Sequence, residues 1–118
     1  MLIGIDFGKH IGLAYSVGSI ALPYYTVRTI ADAAKKIEEK HATKLIVGWP
    51  LLLSGKEGEQ CMRTRKMLDE LLKTCQLPYL LQDERFSSKF VGKNHIGGQD
   101  EHAHSAAWIL QTYLNLIS

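Results

Sequence analysis

Leu2-Ile3-Gly4-Ile5-Asp6-Phe7-Gly8-Lys9-His10-Ile11-Gly12-Leu13-Ala14-Tyr15-Ser16 reads as an apolar run, a Gly-containing turn and a second apolar run. That is the pattern of a β-hairpin. One acid, Asp6, interrupts the first run. Side chains alternate along a strand, so Asp6 shares a face with Leu2 and Gly4, while Ile3, Ile5 and Phe7 take the other. An acid set that deep in an apolar strand costs several kcal/mol, about the price of an unpaired buried charge, unless a cation or hydrogen bonds compensate. Two readings follow. Asp6 either caps the turn at Gly8, or it is an acid held rigidly at a strand end to bind a metal or a proton.

The bulk properties narrow the field. The 118 residues are expected to form one domain, residues 1–118, with a core of its own. Hydrophobic residues make up 46% and charged residues 22%, as in ordinary soluble proteins. Fourteen Lys and Arg exceed twelve Asp and Glu by two, so any nucleic-acid surface must be a local patch. No apolar stretch is long enough for a membrane span, and the N-terminus lacks the pattern of a signal peptide, so a cytoplasmic protein with no membrane partner is expected. Cys61 and Cys75 fall in one expected helix, about 21 Å apart at ~1.5 Å per residue, too far to bridge. Free thiols agree with a reducing compartment.

Beyond the hairpin, Ser19 to Arg28 predicts a third strand. Thr29 opens a helix with Asp32 three residues on, and Ile30, Ala33, Ala34, Ile37 and His41 form its inner face. Lys44 to Gly48 predicts a buried strand. A loop from Trp49 to Lys56 follows, and Ser54 with Glu57 predicts a capping box for a helix running to about Cys75. Its apolar stripe is Cys61, Leu68, Leu71, Leu72 and Cys75. Pro78 to Gln82 predicts a fifth strand. Residues 83–99 are polar and Gly-bearing. The last helix is expected from about Glu101 to Ile117, with Ala106, Leu110, Tyr113, Leu114 and Ile117 inward. The order β-β-β-α-β-α-β-α suggests an α/β fold, a mixed five-stranded sheet with helices on both faces.

Three stretches resemble one family. They are Gly4-Ile5-Asp6-Phe7-Gly8-Lys9-His10-Ile11-Gly12-Leu13-Ala14, then Ile46-Val47-Gly48-Trp49-Pro50-Leu51 with Ser54-Gly55-Lys56-Glu57-Gly58, and Gln82-Asp83-Glu84-Arg85-Phe86-Ser87-Ser88. The ending Ser105-Ala106-Ala107-Trp108-Ile109-Leu110-Gln111-Thr112-Tyr113-Leu114 completes the set. In this order, over nearly the whole chain, they are similar to the YqgF/RuvX family of Holliday junction resolvases and pre-16S ribosomal RNA nucleases. The resemblance implies a ribonuclease H-like fold, whose element order is the one above. It also implies a divalent-metal-dependent endonuclease, most readily one that processes the 5′ end of pre-16S ribosomal RNA, or alternatively a resolvase of four-way DNA junctions. Three departures stand out. The turn after Gly8 is about one residue short, with His10 where the family commonly has Arg. The segment between Ser88 and the last helix is shorter. The final-helix acid of the family aligns with His102, just after Asp100 and Glu101.

The chemistry can be weighed without the name. Two-metal cleavage of a phosphodiester needs carboxylates gathered from distant parts of the chain, and Mg²⁺ takes hard oxygen ligands while keeping several waters. Asp6, Asp83, Glu84, Asp100 and Glu101 are the candidate ligands for Mg²⁺ or Mn²⁺. Asp6, Glu84 and His102 are the candidate catalytic groups. A central first strand would end beside the other two motifs. Each candidate has a plainer role: Asp83 and Glu84 can end a strand beside Arg85, and Asp100 is a natural helix N-cap. His102 shares a face with Ala106 and Ile109, and is either a ligand or proton carrier, or a bystander. Lys9, His10, Ser54, Lys56, Arg85 and Lys89 are the candidate contacts to a phosphate backbone, with solubility as the plainer role for the lysines. The Trp49 to Leu53 loop is a packing lid, a dimer patch or a base-stacking platform. The expected partner is structured RNA or branched DNA, with ribosome association, for a monomer or weak homodimer. The competing functions are a non-catalytic RNA- or ribosome-binding module, and an actin-like nucleotide-binding domain, which would need two such domains.

Overall fold

The computed structural model describes residues 1–83 and 101–117. Its elements are β1 (Leu2–Phe7), β2 (Ile11–Val17), β3 (Ile20–Val27), α1 (Ile30–Glu39), β4 (Lys44–Trp49), α2 (Glu59–Thr74), β5 (Tyr79–Asp83) and α3 (Glu101–Ile117). The strands form one sheet in the order β3-β2-β1-β4-β5. β1 pairs antiparallel with β2 and parallel with β4, and β5 continues the parallel half. β1 is therefore central, and the C-terminal ends of β1, β4 and β5 lie along one edge. None of the helices among the described residues is long and apolar enough to cross a membrane.

Alternation along β1 divides the interior in two. Ile3, Ile5 and Phe7 join Leu13, Leu45 and Val47 in a core with α1 and α2, through Ala33, Ala34, Ile37, Leu68 and Leu71. The opposite face carries Ala14 and Ile46, and α3 covers it with Ala106, Ile109, Leu110 and Leu114. α3 lies unusually close to the sheet. A Cβ on Gly4 would sit 2.7 Å from the Ala106 carbonyl oxygen and 2.8 Å from the Leu110 Cβ, and a Cβ on Gly12 would overlap the His102 carbonyl group. Glycine inside a strand here marks the approach of another backbone. Near its far end α3 is tied to the β2–β3 turn by Gln111, whose Oε1 accepts from the Ala21 N–H at 2.9 Å and whose Nε2 donates to the Ser19 carbonyl at 3.0 Å.

Some local expectations change. Thr29 caps α1 as expected, accepting from the Asp32 N–H at 3.1 Å. α1 ends at Glu39, however, so His41 lies past the helix with φ of 54° and is exposed. α2 begins at Glu59 with Gly58 at its N-cap and no side-chain cap, so the Ser54–Glu57 box does not form. The Glu57 carboxylate instead accepts from the Trp49 indole N–H at 3.0 Å. A buried indole donor needs a partner more than a solvated helix end does. Trp49 is only 7% exposed, which makes it a packing residue and leaves no free ring face for a base. Ile117 is 60% exposed because α3 has run past the sheet, and Ala103 and Ile109 take the buried positions further up.

Gly12→Ala is expected to cost about 3 kcal/mol or more, because the new methyl meets backbone that cannot rotate away. Gly18→Ala is the comparison: φ of 61° strains the alanine, but nothing lies within 4 Å, so the cost is about 1–2 kcal/mol. Urea unfolding of both variants measures the difference, and equal losses would mean that α3 does not press on Gly12.

Candidate active site at the end of the central strand

Asp6 sits one residue before the end of β1, opposite Gly12 in the β1–β2 register and half-buried under the first turns of α3. The missing Cβ at Gly12 lets the helix backbone settle there. Ser105 then donates a hydrogen bond to the Asp6 carboxylate, and Glu101, one turn earlier on α3, is close enough to repel it. Burial raises the Asp6 pKa, the Ser105 hydrogen bond lowers it, and the Glu101 charge raises it, for a net value of about 6 against an ordinary 3.8. Two acids thus meet at a partly desolvated spot.

His102 stands on the neighbouring flank. A Cβ on Gly8 would be 3.6 Å from the His102 Nδ1 and 3.8 Å from the Asp6 Oδ1, so acid and imidazole face the same turn. The His10 ring meets the His102 ring edge-on, with centroids 5.2 Å apart. Burial lowers the His102 pKa, His10 and Lys9 push it the same way, and Glu101 opposes them. His102 is therefore held neutral at pH 7 and can accept a proton.

The other candidates are placed as follows. Lys9 is exposed and His10 half-buried on the turn after β1. Ser54 and Lys56 are exposed on the loop that leaves the C-terminal end of β4, and the Lys56 N–H donates to the Ser54 Oγ at 3.4 Å. Asp83 is corrected. It ends β5 in register with Trp49, two strands from β1 and so about 10 Å away. It shares its face with Leu81, which packs on the α1–α2 side, so alternation turns it away from the face of Asp6. Glu84, Arg85, Lys89 and Asp100 lie outside the described residues.

The fit to a divalent cation rests on the donors. Two carboxylates that destabilise each other in a desolvated spot are relieved by a cation between them, and Mg²⁺ or Mn²⁺ accepts two protein oxygens while keeping waters. Among the described residues no three His, Cys, Asp or Glu side chains form a complete metal site by themselves. The residues present fit a metal held by two acids, with His102 alongside. Ser105 and Gly12 are not among the site residues expected from the sequence. Gly12 had a legible signal, an isolated glycine opposite Asp6 in the expected hairpin.

Comparisons with known proteins cover nearly the whole chain. A family model described as RuvX, Holliday junction resolvase, matches residues 1–116. A protein of Rickettsia bellii named "Putative pre-16S rRNA nuclease" is 35% identical over 134 aligned positions, covering 99% of this chain and 87% of the relative. A protein of the same name from Sulfurihydrogenibium sp. is 30% identical, covering 99% and 91%. Since 134 exceeds 118, the Rickettsia protein carries residues that this chain lacks. Among solved structures, Thermus thermophilus RuvC in complex with a Holliday junction substrate superposes with a TM-score of 0.63 at 12% identity, covering 98% of this chain and 94% of that one. The shared fold is ribonuclease H-like.

A metal-free protein should show the cost of this arrangement. The folded state holds a proton on Asp6 up to about pH 6, whereas the unfolded chain releases it near 3.8. Stability therefore falls as pH rises through that window and levels off above it. Asp6→Asn, measured in EDTA, is expected to be more stable than the wild type at pH 7 by roughly 1–3 kcal/mol, with the gap closing near pH 4. A variant less stable than wild type at pH 7 would overturn this account of Asp6.

Proposed function

The chain belongs to the RuvX family, and from that premise we propose that it is a divalent-metal-dependent endonuclease of structured RNA, processing the 5′ end of pre-16S ribosomal RNA in the cytoplasm. The observation that carries the reading is the meeting of Asp6, Glu101, Ser105 and His102 at the end of the central strand. The names of the relatives support RNA as the substrate. Residues 1–118 act as one catalytic domain, and the working partner is nucleic acid presented by a ribosomal precursor. A four-way DNA junction is the second substrate, favoured by the description of the family model.

Asp6 and Glu101 would hold the metal, Mg²⁺ or Mn²⁺, with Glu84 as a further ligand. A bound divalent ion supplies charge neutralisation at the scissile phosphate and a more acidic water. The protein does the rest. Ser105 fixes the orientation of the Asp6 carboxylate. The rigid strand end and the tightly seated α3 keep the two acids in place without reorganisation. His102, neutral at pH 7, takes the proton from the attacking water at its free imidazole nitrogen. Lys9 and His10 on the β1–β2 turn, and Ser54 and Lys56 on the loop after β4, contact the phosphate backbone without reading sequence. Arg85 and Lys89 would add further phosphate contacts.

The test is cleavage of labelled pre-16S RNA and of a four-way junction, with Mg²⁺, Mn²⁺ or EDTA. Metal-dependent cutting of the RNA at its 5′ extension is expected. Asp6→Asn should reduce it by about 100-fold or more, the scale of losing one electrostatic catalytic group. His102→Ala should lower it less, and His102→Asp should favour Mg²⁺ over Mn²⁺, since an anionic oxygen replaces a nitrogen donor. Cleavage of neither substrate in any metal would leave an RNA-binding module as the function.

Binding should also depend steeply on salt. A net charge of +2 leaves a few cations to neutralise phosphates, so log affinity should fall linearly with log salt, with a slope of about −2 to −4. Affinity that stays flat from 50 to 200 mM salt would point to recognition by base or by protein contacts instead.

A further inference from the structure

The α1–α2 side of the sheet is covered over β1 and β4, but its β2–β3 margin is open. Val17, Ile20, Leu22 and Tyr25 are 54%, 58%, 38% and 46% exposed. Register places Ile20, Leu22 and Tyr25 on the same face as Val17, Tyr15 and Leu13, to which they pair. Three tyrosines gather there. The Tyr15 and Tyr24 rings meet edge-on at 5.6 Å, and the Tyr24 and Tyr25 rings at 4.6 Å. Lys36 of α1 and Lys40 at its C-cap reach over them: Lys36 Nζ is 3.9 Å from the Tyr25 ring centre, and Lys40 Nζ is 4.0 Å from that of Tyr15. Glu39 is the acid in this group, pairing with Lys36 at 3.5 Å and accepting from the Tyr24 hydroxyl at 3.3 Å.

We propose that this tyrosine–lysine face binds a short single-stranded nucleic-acid segment, two or three nucleotides long, separately from the cleavage site. It goes beyond the nuclease reading, because the face lies on the opposite side of the sheet from Asp6. An open sheet surface bearing aromatic rings is a stacking platform for unpaired bases, tolerant of sequence because every base has a π-face. Lysine over an exposed tyrosine is held weakly, and base stacking on that ring is the stronger interaction. An arriving base therefore displaces Lys36 or Lys40, and the freed ammonium pairs with the adjoining phosphate. Exposed apolar neighbours such as Ile20 and Leu22 bury the edges of the bases. A second copy of this chain is the poorer occupant, since Lys36 and Lys40 would bring like charges to the junction.

Fluorescence anisotropy with labelled twelve-nucleotide U-RNA and T-DNA tests the proposal on the intact chain. Tyr25→Leu, which keeps an apolar side chain at an exposed position, should weaken binding about 10-fold, and Tyr25→Phe should bind within about twofold of wild type. Lys40→Gln should reduce the salt slope by about 1. Equal losses on RNA and DNA mean that the platform reads stacking alone, and a larger loss on RNA means that it also contacts the 2′-hydroxyl. Either result supports it. Wild-type affinity in Tyr25→Leu overturns the proposal, as does a concentration-dependent dimer that this variant dissolves without a change in binding. Cleavage of a substrate trimmed of single-stranded tails should be the same in Tyr25→Leu and wild type. If trimmed and tailed substrates are both left uncut while tail binding responds to Tyr25, the nuclease reading fails and the platform stands.

Discussion

The close seating of α3 on the sheet is the constraint from which the rest of the site follows. A helix normally rides on side chains about 10 Å from the sheet it covers. Here Gly4 and Gly12 remove the spacers, and the carbonyls of His102 and Ala106 come down into the space where Cβ atoms would be. The small residues Ala14, Ala103 and Ala106 continue the same contact. That approach brings Ser105 within hydrogen-bonding reach of Asp6 and sets Glu101 against the same carboxylate. Ordinary spacing would leave a solvated acid on a strand and a solvated acid on a helix, with nothing in common.

The result is electrostatic frustration in a rigid setting. Asp6 gains one hydrogen bond and loses much of its hydration, and the Glu101 charge acting on it has the same sign. Such a site works against folding and persists because the surrounding packing over-determines it. Ile3, Ile5, Leu13 and Val47 on one side and Ile46, Ile109 and Leu110 on the other are almost wholly buried, so β1 cannot shift to relieve its acid. The energy held there is available to whatever cation enters. His102 completes the contrast, since the burial that pushes the acid up pushes the imidazole down. One environment thus favours the uncharged form of both groups, leaving a proton acceptor beside a carboxylate that prefers to share its charge.

The two faces of the sheet are used differently. α3 runs the length of its face and is fastened at the far end by Gln111, and Lys44 adds a hydrogen bond to the Tyr113 hydroxyl at 3.2 Å. On the other face α1 and α2 cover the parallel half and bury Ile11, Leu13 and Val27 of the antiparallel half, whose outer margin is roofed by lysine chains on tyrosine rings. Long cationic side chains laid over apolar rings protect an exposed sheet margin from unwanted pairing. They also make it responsive to a polyanion.

The amino-acid sequence alone determined most of the architecture. The alternation in β1 assigned Asp6, Gly4 and Leu2 to one face, and that is the face α3 covers, because strand periodicity is a local property of the backbone. Element order and type followed for the same reason, as did the Thr29 cap. Where side chains had a choice of partners, local rules were insufficient. Glu57 serves the indole of Trp49 rather than its helix end, and Asp83, in a motif beside Glu84, turns to the opposite face from Asp6. His41 and Ile117 fit a helical stripe yet lie past the ends of the surface that stripe covers. Ser105, an unremarkable hydroxyl in an alanine-rich helix, became a partner of Asp6 only through tertiary structure. Its meeting with Asp6 depends on how closely two elements 99 residues apart approach, and that distance is set by two missing methyl groups on neighbouring strands.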